Sequence, residues 1–484
     1  MIRWLHRRPA SDIIRLAVVL LLVRASCFAE DWPQFRGPNG SGVSASKRSL
    51  PEKFSTTENK IWATPVGDGI ASPVVASGRL FTTAMQGERV MRVLAFDADS
   101  GKQSWYRDLP LNDLPPITPP NSQASSTPCA DAERVYLYVT TRGLVSLDAA
   151  SGEVLWEHPL PQPQYLMDWG AASSPVLVDD MVVFCQDDDL NPFLIAVDKQ
   201  SGVVRWKTDR PEMLAGYSLP VLCEKNGQRD LVIAGTGKLI GYDPATGKER
   251  WTCHSLLRTM MTSPVVHDGV IYLSTQSYGD TERVLKFALL EWKDTNQDGR
   301  LTKQEIPPAF STKFDYGDLN RDGVLEGEEI DRAFQAPSNR VGGGSIVQAI
   351  RGGGKGDVTQ THMAWSLNNR CPSNMSSLVV ANDLVLMVKK GGLSSAFDRD
   401  SGKSLWELKR IQNLGEYYAS PIVGDGKIYL TGENGIVTVL KAERELKILA
   451  KNDVGGACVG SPAIADGRIY FRTRDSLLCV GLPQ

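Results

Sequence analysis

Short apolar runs recur along the chain, each bounded by residues that favour turns. Val93-Leu94-Ala95-Phe96, Leu144-Val145-Ser146-Leu147 and Leu194-Ile195-Ala196-Val197 are examples. Runs of this kind read as strands. A fixed phrase, Asp-x-x-Ser/Thr-Gly-x-x-x-Trp, follows five of them, as Asp97 to Trp105, Asp148 to Trp156, Asp198 to Trp206, Asp243 to Trp251 and Asp398 to Trp406. The Asp can bond its own backbone two residues on, and Gly supplies the positive φ of a tight reversal. Each copy therefore predicts strand, hairpin turn, strand, with an aromatic on the returning strand to pack against a neighbour. Recurrence at about 45–50 residues marks a repeat architecture.

A second series sets the count. Ser72-Pro73, Thr127-Pro128, Ser174-Pro175, Leu219-Pro220, Ser263-Pro264, Ser377-Leu378, Ser420-Pro421 and Ser461-Pro462 each open a unit. The spacing is even except between Ser263 and Ser377, where one unit carries an insertion. Trp365 is the aromatic of the interrupted unit, and Leu449 is read as occupying the aromatic position of the seventh. The last unit, ending Leu477-Leu478-Cys479-Val480, has no Trp, and Trp62 on the apolar run Lys60 to Val66 has no preceding phrase. Pairing these two leftovers closes a ring and removes the open edge. The expectation is an all-β, eight-bladed propeller with a small helical insertion in the fifth blade.

The repeat resembles that of the PQQ-like eight-bladed propellers, which include quinoprotein alcohol dehydrogenases and the BamB lipoproteins of outer-membrane β-barrel assembly. Trp32-Pro33-Gln34-Phe35-Arg36-Gly37 is similar to the start of secreted bacterial proteins with such repeats. The resemblance covers roughly residues 59–484 apart from the insertion. It implies the fold more strongly than the chemistry, since one fold hosts many functions.

Composition narrows the class. A formal charge of −3 over 484 residues leaves no basic face for nucleic acid. Arg3, Arg7, Arg8 and Arg15 precede the apolar run Leu16 to Val23, and Cys27-Phe28-Ala29 forms a small-residue cleavage site. This reads as a signal peptide cut after Ala29, since a membrane span needs about 20 apolar residues. A periplasmic or secreted monomer is expected, without a transmembrane segment in the mature chain. Its parts are a signal peptide (1–29), an N-terminal segment (30–58), blades 1 to 5 in first part (59–279), the insertion (280–344) and the remaining blades (345–484). Seven cysteines remain: Cys129, Cys185, Cys223, Cys253, Cys371, Cys458 and Cys479. Most lie in strand-like runs, where buried small hydrophobes are favoured over disulfides.

The insertion carries the clearest chemistry. Residues 294–305 and 318–329 are two twelve-residue EF-hand loops. Asp294, Asn296 and Asp298, and Asp318, Asn320 and Asp322, supply oxygen at positions 1, 3 and 5. Gly299 and Gly323 make the sharp turn, and Glu305 and Glu329 close the site. Arg300 and Val324 at position 7 would act through backbone carbonyls, and Thr302 and Glu326 at position 9 through water. Two calcium ions are the expected ligands. Leu301 and Leu325 suit a short β contact between the loops. Pro307-Pro308 should cut the first exit helix short, whereas Glu328 to Phe334 can form two turns and Val284 to Trp292 can form an entering helix. The insertion hangs from one hairpin, so the ring is not expected to depend on it.

Other segments are less specific. Arg351-Gly352-Gly353-Gly354-Lys355-Gly356-Asp357 is read as a long hairpin loop rather than a phosphate cradle, because no Ser/Thr or helix follows. Asp187-Asp188-Asp189 is read as a solvated acidic loop. Quinoproteins of the resembling family hold their quinone on a Trp floor beneath a vicinal disulfide, with calcium held by Glu, Asn and Asp and an Asp as base. This sequence has no Cys-Cys pair and no residues that map onto that site, so no catalytic or cofactor-binding residue is assigned and PQQ is not expected. The sequence favours a calcium-binding scaffold for an unknown protein or cell-envelope partner. The alternative is a PQQ-dependent, quinoprotein-like oxidoreductase working in the central funnel.

Overall fold

The computed structural model describes residues 30–483 apart from 166–167, 255–260, 278–285, 287–288, 291–292, 335–343, 369, 371–374 and 412. The expected signal peptide (1–29), Cys371 and part of the expected entering helix, Val284 to Trp292, lie outside the described residues. Blades 1 to 8 begin at Val74, Cys129, Val176, Val221, Val265, Val379, Ile422 and Ala463, and consecutive strands pair antiparallel in each. The eighth blade takes its outermost strand from the N-terminus. Lys60–Pro65 pairs with Ser476–Gly481, setting Trp62 opposite Cys479 and Ala63 opposite Leu478. The ring is an eight-bladed propeller.

The tryptophan of the phrase is the joint between blades. On its own blade it stands opposite a small residue: Ala95 for Trp105, Ser146 for Trp156, Ala196 for Trp206, Gly241 for Trp251. Trp406 bonds Ser394 Oγ of its own blade at 2.8 Å, whereas the rings of Trp105, Trp156 and Trp206, and those of Trp62 and Trp365, cover the turn glycine of the next blade. A Cβ on Gly101, Gly152, Gly202, Gly247 or Gly402 would lie 2.3–2.8 Å from the ring of Trp62, Trp105, Trp156, Trp206 or Trp365. The same rings donate Nε1–H to a carbonyl of that turn: Trp62 to Ala98 at 3.1 Å, Trp105 to Ala149 at 3.0 Å, Trp206 to Pro244 at 3.1 Å. Gly is thus required twice over, for a φ near +70° and for the absence of a Cβ.

The joint changes where the phrase is missing. Register places Ala450, not Leu449, at the aromatic position of blade 7, opposite Val439. The large-small pair of the other blades is here Ala opposite Val, so this position carries no aromatic. Trp251 faces blade 5, which has no turn phrase, and its indole bonds Asp230 Oδ2 at 2.8 Å instead. Here Arg351–Asp357 is more than a hairpin loop. Gly356 and Asp357 add a fifth, parallel strand to blade 4 beside Trp251 and Thr252, so blade 5 grips its neighbour through main-chain bonds.

Residues 30–58 cross one mouth of the ring and reach seven of the eight blades. Trp32 bridges Val75, Ala130 N–H donates to Pro33 O at 2.8 Å, Leu177 N–H to Gln34 Oε1 at 3.2 Å, and Asn39 bonds Leu222 both ways. Arg36 donates to Leu378 O at 2.6 Å, Ser44 N–H to Val423 O at 2.8 Å, and Phe54 stacks on Phe471. Arg36 is wholly buried and has no acidic partner among the described residues, and burial lowers its pKa to about 9.

The insertion leaves blade 5 between its second strand, Val270–Ser277, and its third, Gly344–Arg351. Leu301–Thr302 pairs with Val324–Leu325, and helices Ser311–Gly317 and Glu328–Phe334 flank the second loop. After the first loop the prolines permit only a 3-10 turn, Pro308–Phe310. The insertion does not hang free. Leu301, Phe310, Phe314, Leu325 and Ile330 share one apolar cluster with Leu214 of the loop joining blades 3 and 4, and Leu190 of blade 3 packs against it. The six described cysteines are buried, and Cys129, Cys185, Cys223, Cys458 and Cys479 are free thiols.

The joint makes a quantitative expectation. Gly78 and Gly152 both have positive φ, but a Cβ at Gly78 meets open space. Gly78→Ala should cost about 1 kcal/mol from backbone strain alone, and Gly152→Ala at least twice that, because Trp105 must move. Unfolding midpoints of the two variants check this; equal losses would remove the joint from the argument.

Candidate metal centre and cavities

Every residue of the two predicted loops is described. In the first, Asp294 Oδ1 accepts the Asp298 amide (3.2 Å) and Oδ2 the Gly299 amide (2.8 Å), while Asn296 Oδ1 accepts the Asp298 amide (3.0 Å). Glu305 reaches back across the loop to the amides of Thr295 (3.2 Å) and Thr302 (2.9 Å), with Thr302 Oγ1 at 2.8 Å. Those bonds, from Thr302 above all, hold the Glu305 carboxyl below the usual range. The second loop repeats the pattern: Asp318 Oδ2 accepts Gly323 N–H (3.1 Å) and Glu329 Oε1 accepts Leu319 N–H (3.0 Å). Asp322 Oδ1 accepts Val324 N–H at 2.8 Å, as Asp298 Oδ1 accepts Arg300 N–H at 2.8 Å, and Asn320 donates to Asp322. Glu326 turns outward to Arg300 Nε at 2.9 Å.

The donor set is all oxygen, as a hard cation requires. Asp318 Oδ1 is buried without a hydrogen-bond partner, which a cation there would satisfy. Among the described residues no three His, Cys, Asp or Glu side chains converge into a metal-holding group by themselves. Asn296, Asn320 and main-chain carbonyls would have to complete both sets.

The acidic run of blade 3 is not solvated. Asp187, Asp188 and Asp189 are 2%, 2% and 5% exposed. Asp187 takes a two-pronged ion pair from Arg210 Nε and Nη2, at 2.7 and 2.8 Å, and Arg210 also reaches the Tyr242 hydroxyl. Asp188 caps the amides of Gln164, Leu190 and Asn191 at 2.7–3.1 Å, and burial pushes its carboxyl up. Burial lowers the pKa of Lys313 in the insertion, and the charge of Asp188 opposes that through space. Three adjacent acids read as a solvated loop from sequence because Arg210, which answers Asp187, is distant in the chain.

Two cavities flank this turn. The central funnel, about 330 Å³, is ringed by the unit-opening hydroxyls. Ser72 N–H donates to Thr127 Oγ1 (3.0 Å) and Thr127 N–H to Ser174 Oγ (2.9 Å). The series resumes from Leu219 through Ser263, Ser377, Ser420 and Ser461 back to Ser72. It breaks only where Leu219 lacks a hydroxyl. Phe35, Trp169, Tyr217 and Tyr418 add aromatic surface, and no acid, histidine, lysine or arginine is among the described residues lining the funnel.

The second cavity, about 600 Å³, lies between the propeller loops and the insertion. Pro115, Pro163, Tyr165 and Asp168 form one side, and Lys293, Thr295, Glu305 and Pro307 the other. Tyr165 stacks on Tyr217 of the funnel wall, with ring centroids 5.1 Å apart, so one aromatic pair separates the cavities. Sequence reading missed this cleft; the Pro115-Pro116 and Pro307-Pro308 pairs were its only signal.

The family described as outer membrane protein assembly factor BamB matches residues 53–170, 117–312 and 389–481, well over half of the chain. The chain belongs to the BamB family. A BamB of Yersinia pestis is 27% identical over 258 residues, covering 50% of this chain and 62% of the relative. One of Moranella endobia (strain PCIT) is 24% identical over 231 residues, covering 44% and 56%. The chain thus spans less than two thirds of the length of either relative. The crystal structure of BamB from Moraxella catarrhalis superposes with a TM-score of 0.53 at 15% identity, over 87% of this chain and 98% of that one. That likeness speaks to the fold shared across the BamB family. Among the described residues no helix is long and apolar enough to cross a membrane.

Breaking the Asp187–Arg210 pair should be severe. Arg210→Met leaves a buried carboxylate unpaired and should cost about 3–5 kcal/mol, whereas Asp187→Leu with Arg210→Met should recover most of it. Chemical denaturation of the three proteins checks the expectation, and a mild single variant would contradict it.

Proposed function

We propose that this chain is a binding scaffold of the cell envelope that serves the assembly of outer membrane proteins, with calcium holding its insertion in place. The observation that carries the reading is the BamB-family match across the blades. The funnel supports a scaffold over the oxidoreductase alternative. Oxidation of an alcohol needs a base beside the substrate, and the described lining is hydroxyl, amide and apolar. The apolar run and cleavage site before residue 30 support export to the periplasm or beyond.

In a strain lacking this chain, folded β-barrel protein in the outer membrane should fall and should return when the intact gene is restored. Unchanged barrel levels would remove the assembly role.

Calcium would be held by Asp294, Asn296, Asp298 and Glu305 in one loop and by Asp318, Asn320, Asp322 and Glu329 in the other, with the Arg300 and Val324 carbonyls. The ion neutralises carboxylates that otherwise repel one another, which ties down the loops. Titration calorimetry should show uptake in the roughly micromolar-to-millimolar range of sensor and extracellular sites. Glu305→Gln with Glu329→Gln should abolish it while β-sheet circular dichroism stays unchanged; equal uptake by both proteins would refute the ligand set.

A further inference from the structure

The cleft between the propeller and the insertion has properties that a gap between packed parts would not need. Its volume, about 600 Å³, falls within the roughly 300–1,000 Å³ of ligand sites. Its walls are held apart in a fixed relation, because the insertion is anchored beside it through the apolar cluster that Leu214 and Leu190 share with Phe310 and Phe314. Pro115, Pro116 and Pro163 stand on the propeller side and Pro307 and Pro308 on the insertion side. Proline has no N–H, so these walls offer ring faces and carbonyl oxygens, a surface suited to an extended chain. Gln164 and Gln304, one on each side, each carry both a donor and an acceptor for a passing main chain.

Charge adds direction. Asp168 lines the propeller side and Lys293 the insertion side, and neither side chain makes an ion pair or hydrogen bond within the described protein. Glu305, which closes the first loop, and Thr295, whose amide it accepts, are themselves part of the wall. Whatever reorganises that loop therefore reshapes the cleft.

We propose that this cleft binds an extended peptide segment carrying a basic side chain toward Asp168 and an acidic one toward Lys293, with affinity set by the calcium state of the first loop. The calcium dependence rests on the calcium reading above; the peptide site does not. An extended, proline-containing segment loses little conformational freedom on binding, which favours it over a flexible one. The cleft would hold such a segment between aromatic and proline faces while its end charges meet opposite signs on the two walls.

The test uses the full mature chain and short fluorescent, end-blocked peptides in calcium buffer. Arg-Pro-Pro-Tyr-Glu should bind saturably, and about tenfold more tightly than Gln-Pro-Pro-Tyr-Gln, the loss expected for removing rim charge partners. Asp168→Asn, chosen because Asn tolerates the left-handed φ of 53° at this position, should erase that preference at the basic end. Lys293→Glu should prefer Arg-Pro-Pro-Tyr-Arg over the original probe. Thermal unfolding confirms that both variants are folded. No saturable binding, or a preference that ignores both substitutions, overturns the site. Chelator should weaken binding about tenfold. Equal affinity with and without calcium, in protein that takes up calcium by calorimetry, overturns the coupling alone. Peptide binding in protein that takes up no calcium sustains the site and removes the calcium reading.

Discussion

The contact between one blade's tryptophan and the next blade's turn glycine is the constraint from which the ring is built. In blades 1 to 3 a single phrase serves two blades at once: its Asp and Gly shape a turn for the blade before it to cover, and its Trp covers the turn that follows. The indole buries a large apolar face and donates its one polar hydrogen to a turn carbonyl, as Trp105 does to Ala149. Nothing polar is left stranded at the joint. Where the phrase is missing from blade 5, a different interaction takes over: the parallel strand Gly356–Asp357 joins it to blade 4.

Much of this was legible because turn chemistry is local. Asp97, Ser100, Gly101 and Trp105 lie within nine residues, and their roles follow from backbone geometry and ring size. The count of eight and the pairing of Trp62 with the last strand followed from leftovers that had no other partner. What escaped were features whose causes are distant in sequence. Asp187 is buried because Arg210 answers it, and a run of three acids says nothing of that. Leu449 and Ala450 are adjacent, so only a strand register with a bulge can tell which faces the neighbour. The wrapping of residues 30–58 was invisible in composition, although Trp32 and Arg36 were plain in the sequence.

The insertion shows the same division. Its two loops are recognisable from spacing alone, and the donors lie where that spacing puts them. Its position over blades 3 and 4 is not encoded in any motif. It comes from matching apolar surface, Phe310 and Phe314 with Leu214 and Leu190. A segment read as a free appendage is a roof, and the space beneath it belongs jointly to both parts.

Ring closure also sets an order in time. Trp62 meets Cys479, and Ser461 bonds Ser72 across 389 residues of chain. During synthesis the strand that closes the ring emerges before all the blade strands and its partner after the other blades are made. Until then Lys60–Pro65 has no sheet to join, and residues 30–58 have only part of the surface they will cross. Contacts this distant in sequence fold slowly, so the chain passes through a long interval with an open blade at each end. That interval, rather than the finished ring, is when the protein is most exposed to misassembly and most in need of protection.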